Sequence, residues 1–455
     1  MIKKILIANR GEIAVRIIRT CKEMGISTVA VYSNCDKEAL HVQLADEAVC
    51  IGGPRPLESY LNMYNIIQAA CNTGCDAIHP GFGFLSENAR FARLVEECGL
   101  IFIGPSPEII EKMGNKARAR QTMIQAGVPV VNGSRQIVND VRQGRQMAQE
   151  IGYPVIIKAV NGGGGRGMRI VFSPREFDNA YHSARNEAKI CFKDDEVYME
   201  KYIVNPKHIE VQIAGDKFGN VVHLYERDCS FQRRNQKMIE EAPCFSIEES
   251  VRQNILADAV KAAKFVGYNS VGTIEFLLDE GGNYYFMEMN TRIQVEHPIT
   301  EMICGVDIVK LQIKAAAGQK LELSQRDIHC SGYAMECRIN AEDAANNFAP
   351  SAGRIDFVNF PAGRNVRVES AVYNGYTILP YYDSMIAKII TWAPTRLECI
   401  KKMRIALEEF IISGVKSNVE FQYMALHHKK FIEGKYSTGF AGEFIEELKS
   451  NGNLV

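Results

Sequence analysis

Two apolar runs, Gly272-Thr-Ile-Glu-Phe-Leu-Leu and Tyr284-Tyr-Phe-Met-Glu-Met, flank the turn-forming stretch Asp279-Glu-Gly-Gly-Asn. Such a pair commits this part of the chain to a β-hairpin, and a hairpin fixes which residues meet. A turn centred on Gly281-Gly282 sets Glu275 opposite Glu288 and Thr273 opposite Asn290. Directly opposed side chains have Cβ atoms ~5 Å apart, where two carboxylates repel. A hard cation removes that conflict. Carboxylate and amide oxygens suit Mg²⁺, which takes one or two protein carboxylates together with substrate phosphates. The alternative without a metal is an exposed pair spread apart by solvent, or a bulge that breaks the register.

The chain continues Glu288-Met-Asn-Thr-Arg-Ile-Gln-Val-Glu296, polar at every even position. In an extended strand Glu288, Asn290, Arg292, Gln294 and Glu296 share one face. A solvated edge strand shows the same alternation, usually with Lys, Glu and Thr. Two acids, two amides and an arginine read as a working surface. Fully extended, its ends lie roughly 26 Å apart, a metal at one and a small anion at the other unless the chain curls.

Near the start, Ile5-Leu-Ile-Ala reads as a buried strand. Apolar positions 13, 14, 17, 18, 21 and 24 form a helical stripe closed by Gly25, and Thr28-Val-Ala-Val-Tyr is the next strand. This βαβ opening, continued at Asp76-Ala-Ile-His and Leu100-Ile-Phe-Ile-Gly, predicts a doubly wound α/β domain over 1–114. The first turn, Asn9-Arg-Gly-Glu, lacks G-x-G-x-x-G, which argues against a dinucleotide site. Residues 115–134 read as a helical connector and 135–203 as a smaller α+β unit. Residues 204–446 hold the hairpin and a further β-rich part, and 447–455 are a tail.

Ile156-Ile-Lys-Ala-Val-Asn-Gly-Gly-Gly-Gly-Arg-Gly-Met-Arg-Ile-Val is a strand, a glycine loop and a returning strand. Glycines at 162–165 and 167 let backbone N–H groups approach a polyphosphate, with Lys158 near the end of the entering strand. It is not a P-loop, because no G-K-[ST] or helix follows; a mobile hairpin tip is the plainer alternative. In Val197-Tyr-Met-Glu-Lys-Tyr-Ile-Val the backbone is suited to an adenine edge, with Glu200 and Lys201 flanking the base. The run Gln232-Arg-Arg-Asn-Gln-Lys237 is either a solvated loop or, beside the glycine loop and the acid pair, a clamp for phosphate or carboxylate.

The 455 residues, 46% hydrophobic, suffice for about three domains. A net charge of −1 provides no field to recruit nucleic acid or an acidic membrane. Thirteen scattered cysteines suggest reduced thiols in a cytoplasm-like compartment, not a disulfide framework. With no leader peptide and no run of eighteen apolar residues, a soluble, cytoplasmic chain is expected.

In this order the pieces resemble the biotin carboxylase component of biotin-dependent carboxylases, a family of ATP-grasp enzymes. The resemblance runs from Ile5 to about residue 446. It is most specific at His79-Pro-Gly-Phe-Gly-Phe-Leu-Ser-Glu-Asn, the 161–168 loop, Glu288 to Pro298, and Glu336-Cys-Arg-Ile-Asn-Ala-Glu-Asp. It implies an α/β and α+β chain: an ATP-grasp fold with the N-terminal doubly wound domain, a mobile glycine-loop lid and a C-terminal β-rich biotin carboxylase domain. ATP phosphates would be held by Lys116, Lys158, Gly164 and Gly165. Glu200, Lys201, Tyr202 and Ile203 would line the adenine site, with His208, Gln232 and Asn235 near the ribose. Glu275 and Glu288, with Asn290 close by, would hold Mg²⁺ or Mn²⁺. Lys237, Arg292, Gln294 and the Val295 backbone would grip bicarbonate, Glu296 would be the base, and Arg338 would stabilise the ureido oxygen of biotin. Glu87 and Asp383 also match near the site, without a sharp role. Read without the resemblance, His208 is a structural histidine and Arg338 the partner of an acid.

The implied reaction carboxylates biotin on a biotin carboxyl carrier protein through carboxyphosphate. Acetyl-CoA carboxylase, in fatty acid synthesis, is the default context; propionyl-CoA, methylcrotonyl-CoA and pyruvate systems stay open. The chain stops at Val455 without a Met-Lys-Met biotin-acceptor sequence, so a separate subunit that meets a carrier and carboxyltransferase subunits is expected. Arg19, Glu23 and Arg367 match positions associated with a homodimer contact, or form a plain surface charge cluster. Two departures stand out: Asn235 where many relatives carry His, and Phe82 where Tyr is common. The competing readings are another ATP-grasp ligase, a non-catalytic nucleotide-binding regulator and, more distantly, an NAD-dependent enzyme.

Overall fold

The structure is a computed structural model that describes residues 2–134, 136–160 and 167–452. It opens with five parallel strands, Lys4–Ile7, Ser27–Ser33, Glu47–Gly52, Ala77–His79 and Ile101–Phe102, lying side by side in the order third, second, first, fourth, fifth. Ile5, Leu6 and Ile7 are fully buried, as a strand covered on both faces requires. The helix Gly11–Glu23 buries its stripe of Ile13, Ala14, Ile17, Ile18 and Cys21, and the chain turns at Gly25, whose φ of +69° suits glycine. This is the doubly wound domain expected, with one strand, Glu47–Gly52, that periodicity did not pick out. Strand order reverses between the first and fourth strands, so a crevice opens beyond their carboxyl ends. There Asn9 donates to the carbonyls of Pro80 and Phe82, both at 2.7 Å.

The helical expectation for 115–134 holds only over Lys116–Gln125. Gly127, at φ +68°, and Pro129 end the helix, and the chain runs on to bridge Val130 to Phe286 and Gly133 to Glu200. A three-stranded antiparallel sheet follows, in the order Met168–Val171, Val155–Ala159, Val197–Lys201. Helices Val141–Ile151 and Phe177–Phe192 pack on it around Val155, Ile157, Phe177 and Tyr181. The expected phosphate ligands Gly164 and Gly165 lie outside the described residues.

One eight-stranded antiparallel sheet organises the remainder. Its order is Tyr284–Asn290, Val271–Leu278, Lys207–Gly215, Val221–Arg233, Gln236–Ala242, Tyr333–Asn340, Met385–Ala393, Val366–Ser370. The hairpin thus forms one edge, while Arg338 sits toward the other on the same sheet. The turn spans Asp279 to Asn283 and is not centred on Gly281-Gly282: the Asn283 N–H donates to Asp279 Oδ1 at 2.8 Å, and Phe276 pairs with Phe286. A bulge at Met287 then restores the expected register, Glu275 opposite Glu288 and Thr273 opposite Asn290. No helix among the described residues is long and apolar enough to cross a membrane.

Candidate active site

The polar row after the hairpin is not extended. Its strand ends at Asn290, residues 291–296 turn, and Glu296 (φ −82°, ψ 9°) leads into the helix His297–Cys304. Two contacts draw the chain round. Ile293 is fully buried, and Gln294 Nε2 donates back to Glu275 Oε1 at 2.8 Å. The expected one-faced row is therefore corrected to a folded-back segment, which brings Glu296 beside the hairpin acids instead of carrying it away.

These residues floor a cleft of about 1540 Å³ between the crevice of the first domain, the three-stranded sheet and the eight-stranded sheet. All the described residues expected at the site line it, from Lys116 and Lys158 through Lys237 to Arg338. Phe82 and Asp383 are on its wall too.

Lys237 enters from a two-residue turn in which Arg234 and Asn235 take φ of +50° and +64° and Gln232 pairs with Lys237. The turn splits the polar run: Gln232 and Lys237 reach the cleft, while Arg233 lies over the Phe348 ring at 4.2 Å. Lys237 Nζ donates to Glu210 at 2.5 Å, Glu275 at 3.2 Å and Glu296 at 2.6 Å. Burial opposes its charge, but Cys229 and those three acids hold it well above the usual lysine range.

Burial alone would raise the Glu275 carboxyl, yet Lys237 and His208 hold it well below the usual range. Glu296 is held low in the same way by Lys237, Arg338 and Arg227. Both are ionised at neutral pH. His208 Nε2 stands 3.0 Å from Glu275 Oε2; burial works against its charged form, but Glu275 prevails and lifts it above an ordinary histidine.

Two triads of buried donors, His208–Glu210–Glu275 and Glu210–Cys229–Glu296, have the spacing of metal ligands, but the Lys237 ammonium already neutralises their acids. The hairpin pair fits a metal better. Glu275 is buried and ordered by Asn290 Nδ2 at 2.8 Å, while the Glu288 side chain is 38% exposed in the cleft, 3.5 Å from Lys116. One anchored and one open carboxylate, opposed across a hairpin beside an amide, is a donor set for Mg²⁺ or Mn²⁺.

Arg292 is fixed by Glu87 Oε2 (2.9 Å), Asn290 Oδ1 (2.9 Å) and the Ile293 carbonyl (3.1 Å). Three of its five N–H groups are thus used and two are left for an anion. Glu87 acquires a place here, since it also accepts from the Thr291 N–H at 3.0 Å. Asp383 accepts from the Met385 N–H at 2.8 Å, at the start of a sheet strand. Arg338 donates from Nε to Glu240 at 2.5 Å and from Nη2 to Glu296 at 2.9 Å. The Val295 carbonyl accepts from the fully buried Lys388 at 2.8 Å. On the nucleotide side, Lys158 pairs with Glu200 at 2.5 Å. Lys201 Nζ donates to the carbonyls of Gly152 (2.9 Å) and Tyr153 (2.8 Å), which ties it to the small sheet at the cleft wall.

Sequence reasoning missed Arg227. Fully buried, it donates to Glu210 (2.5 Å), Gln212 (2.8 Å), Thr300 (2.9 Å), Thr273 (3.2 Å) and Gln294 (2.7 Å), tying three strands to the folded-back segment. A signal was present: Glu226-Arg-Asp interrupts an apolar strand with three charges, and Lys207-His-Ile-Glu-Val-Gln alternates so that His208, Glu210 and Gln212 share a face.

A cleft of paired acids and lysines between a small and a large antiparallel sheet defines an ATP-grasp enzyme. Residues 1–110 match the biotin carboxylase N-terminal domain, 115–324 the ATP-binding domain of the carbamoyl-phosphate synthase L chain, and 336–443 the biotin carboxylase C-terminal domain. The chain belongs to the biotin carboxylase family and, with it, to the ATP-dependent ligases. It is 54% identical over 441 residues to biotin carboxylase 1 of Bacillus subtilis, covering 97% of this chain and 98% of that one. It is also 54% identical over 443 residues to the 2-oxoglutarate carboxylase small subunit of Hydrogenobacter thermophilus, covering 97% and 94%. The solved biotin carboxylase domain dimer of that H. thermophilus enzyme, in complex with MgADP, ADP and bicarbonate, superposes with a TM-score of 0.93 at 54% identity, covering 97% of this chain and 98% of that one.

Proposed function

We propose that this protein uses ATP and bicarbonate to carboxylate biotin carried on a biotin carboxyl carrier protein, as the first half-reaction of acetyl-CoA carboxylase. The observation that carries the reading is Glu296 held between Lys237 and Arg338, at 2.6 and 2.9 Å, in a cleft that also holds the hairpin acids. Bicarbonate is a poor nucleophile. Lys237 and the two free N–H groups of Arg292 bind it, with Gln294 and the Val295 backbone alongside. Arginine suits this anion because its fork binds bidentately. Glu296 accepts the bicarbonate proton as the oxygen attacks the γ-phosphorus and ADP leaves, giving carboxyphosphate. When Lys237 and Arg338 turn to the substrates, Glu296 loses the cations that hold its carboxyl low and becomes a stronger base.

Glu275 and Glu288, with Asn290 beside them, would hold Mg²⁺ or Mn²⁺, which neutralises charge on the transferring phosphate. Lys116 and Lys158, with Gly164 and Gly165, meet the phosphate oxygens, and residues 135–203 act as the lid over them. Glu200, Lys201, Tyr202 and Ile203 line the adenine site; His208, Gln232 and Asn235 lie toward the ribose, with His208 also ordering Glu275. Carboxyphosphate splits to CO₂ and phosphate. The released phosphate takes the proton of the biotin ureido nitrogen, which forms the N–C bond with CO₂, while Arg338 stabilises the charge on the ureido oxygen.

Carrier protein and carboxyltransferase subunits are the partners of this reading. A second copy would meet the face on which Arg19 and Arg367 share Glu369, with Glu23 one helical turn from Arg19. Thirteen free thiols support a reducing, cytoplasmic setting. The H. thermophilus relative, as close as the Bacillus one, favours a second acceptor, a 2-oxo acid. The test is phosphate release from Mg-ATP with and without bicarbonate and biotin. Bicarbonate-dependent release that yields carboxybiotin supports the reading, and release indifferent to both rejects it. Carboxyltransferase subunits co-purified from the source cell then discriminate acetyl-CoA from a 2-oxo acid by labelled-bicarbonate incorporation.

A further inference from the structure

Behind Arg338, outside the cleft, lies a pair of buried acids with no role in the steps above. Glu240 and Glu336 are directly opposed on adjacent antiparallel strands, and neither is exposed at all. Opposed side chains share a face at ~5 Å between Cβ atoms. Glu240 gives one oxygen to Arg338 Nε at 2.5 Å; its other oxygen, and both oxygens of Glu336, have no hydrogen-bond partner. Two carboxylates in such a place do not both ionise, so the pair retains a proton.

The titratable groups around Glu240 are unevenly placed. Lys237 lies on its own strand, the neutral thiol of Cys229 on Val221–Arg233, Glu336, Arg338 and the neutral thiol of Cys337 on Tyr333–Asn340, and Glu296 at the head of the covering helix. Lys388, opposite Arg338 on the next strand, acts on Glu336 but is engaged by Glu12 at 3.0 Å and by the Val295 carbonyl. Burial is the largest influence on Glu240 and pushes its carboxyl up to about 7 against the pull of Arg338. Glu336 is pushed well above the usual range by burial and by Glu240.

We propose that Glu240 is a positioning residue for the biotin step: ionised, it fixes the Arg338 guanidinium from behind so that its Nη face meets the ureido oxygen, and it shares a proton with Glu336. The inference rests on the role given to Arg338 above. A charge-assisted bond on Nε orients the plane of the fork, and protonation of Glu240 slackens it. Glu240 therefore acts chiefly on carboxyl transfer to biotin; in the attack of bicarbonate on ATP, Glu296 keeps Lys237, which pulls on its carboxyl more strongly than Arg338 does.

The test uses the full chain and free biotin. In Glu240→Gln the amide still accepts from Nε but carries no charge. Biotin-free, bicarbonate-dependent phosphate release should stay within about twofold of wild type. Carboxybiotin formation should fall about tenfold, the size of one weakened contact, with more phosphate released per carboxybiotin and loss of the acid limb near pH 7. Parallel loss of both activities, or unchanged coupling, overturns the proposal. Should Glu240→Gln not fold, Glu336→Leu decides: without the shared proton that stabilises ionised Glu240, the acid limb of carboxybiotin formation must move to higher pH, and an unmoved limb overturns the proton sharing. Wild type without bicarbonate-dependent release would instead reject the reading of the enzyme itself, whatever the variants do.

Discussion

Lys237 Nζ and Glu296 Oε1 stand 2.6 Å apart although 59 residues separate them in the chain. A two-residue turn brings the lysine, and the chain reversal after Asn290 brings the glutamate. The same lysine touches Glu210 and Glu275, so one ammonium holds the metal-side acid and the base in fixed relation.

Glu296→Gln should separate binding from chemistry. The amide fills the same space but takes no proton, and loss of a general base costs 10²–10⁴-fold. Bicarbonate-dependent phosphate release should drop at least about a hundredfold, with MgADP affinity by calorimetry nearly unchanged. Retained turnover would remove Glu296 as the base.

Arg338→Lys keeps a charge but not the fork that joins Glu240 to Glu296. Phosphate release without biotin should survive, while carboxybiotin formation falls about a hundredfold, the usual scale of one lost oxyanion donor. Assaying both products in one reaction checks the split.

Glu288 and Glu275 should differ when changed. Glu288→Gln alters a cleft-facing side chain and should raise the half-saturating Mg²⁺ concentration about tenfold at unchanged Tm. Glu275→Gln leaves Lys237 and His208 short of a buried partner and should lower Tm as well. Equal Mg²⁺ dependence in wild type and Glu288→Gln would exclude Glu288 as a ligand.

Acid should destabilise the fold from pH 6.5 downward. Burial pushes His41 down to about 4 and His79 down to about 3. Unfolded histidines take a proton near 6.5, so below that pH the unfolded chain binds more protons and stability falls. The contribution is complete above pH 6.5 and is lost toward the folded values, at up to about 1.4 kcal/mol per pH unit for each residue. Urea denaturation at pH 7.5 and 5.0 should show the loss, and His41→Gln should reduce it.

Arg227→Met should be among the most damaging single changes. It leaves Glu210 Oε1 without a partner in the interior, with Lys237 on the other oxygen, and frees Gln294 and Thr273. Breaking a buried pair from one side costs about 3–5 kcal/mol, which denaturant titration will register.

Short-range patterns are legible in the residues themselves. The hairpin puts Glu275 opposite Glu288, and the opening βαβ unit announces the parallel sheet, because alternation and turn chemistry act between neighbours in the chain. Ordered pieces such as His79 to Asn88 and Glu288 to Pro298 place the family. Tertiary structure alone decided the rest. The row from Glu288 to Glu296 is polar at every even position, as a strand would be, yet Ile293 enters a core and Gln294 reaches Glu275, so the row folds back. Arg227, Glu240 and Lys388 look like ordinary charges in strands; they became struts of the site because other strands, far along the chain, buried them beside Gln294, Arg338 and Val295. A buried charge must find its partners, and which partners are within reach depends on strand order, which no local pattern contains.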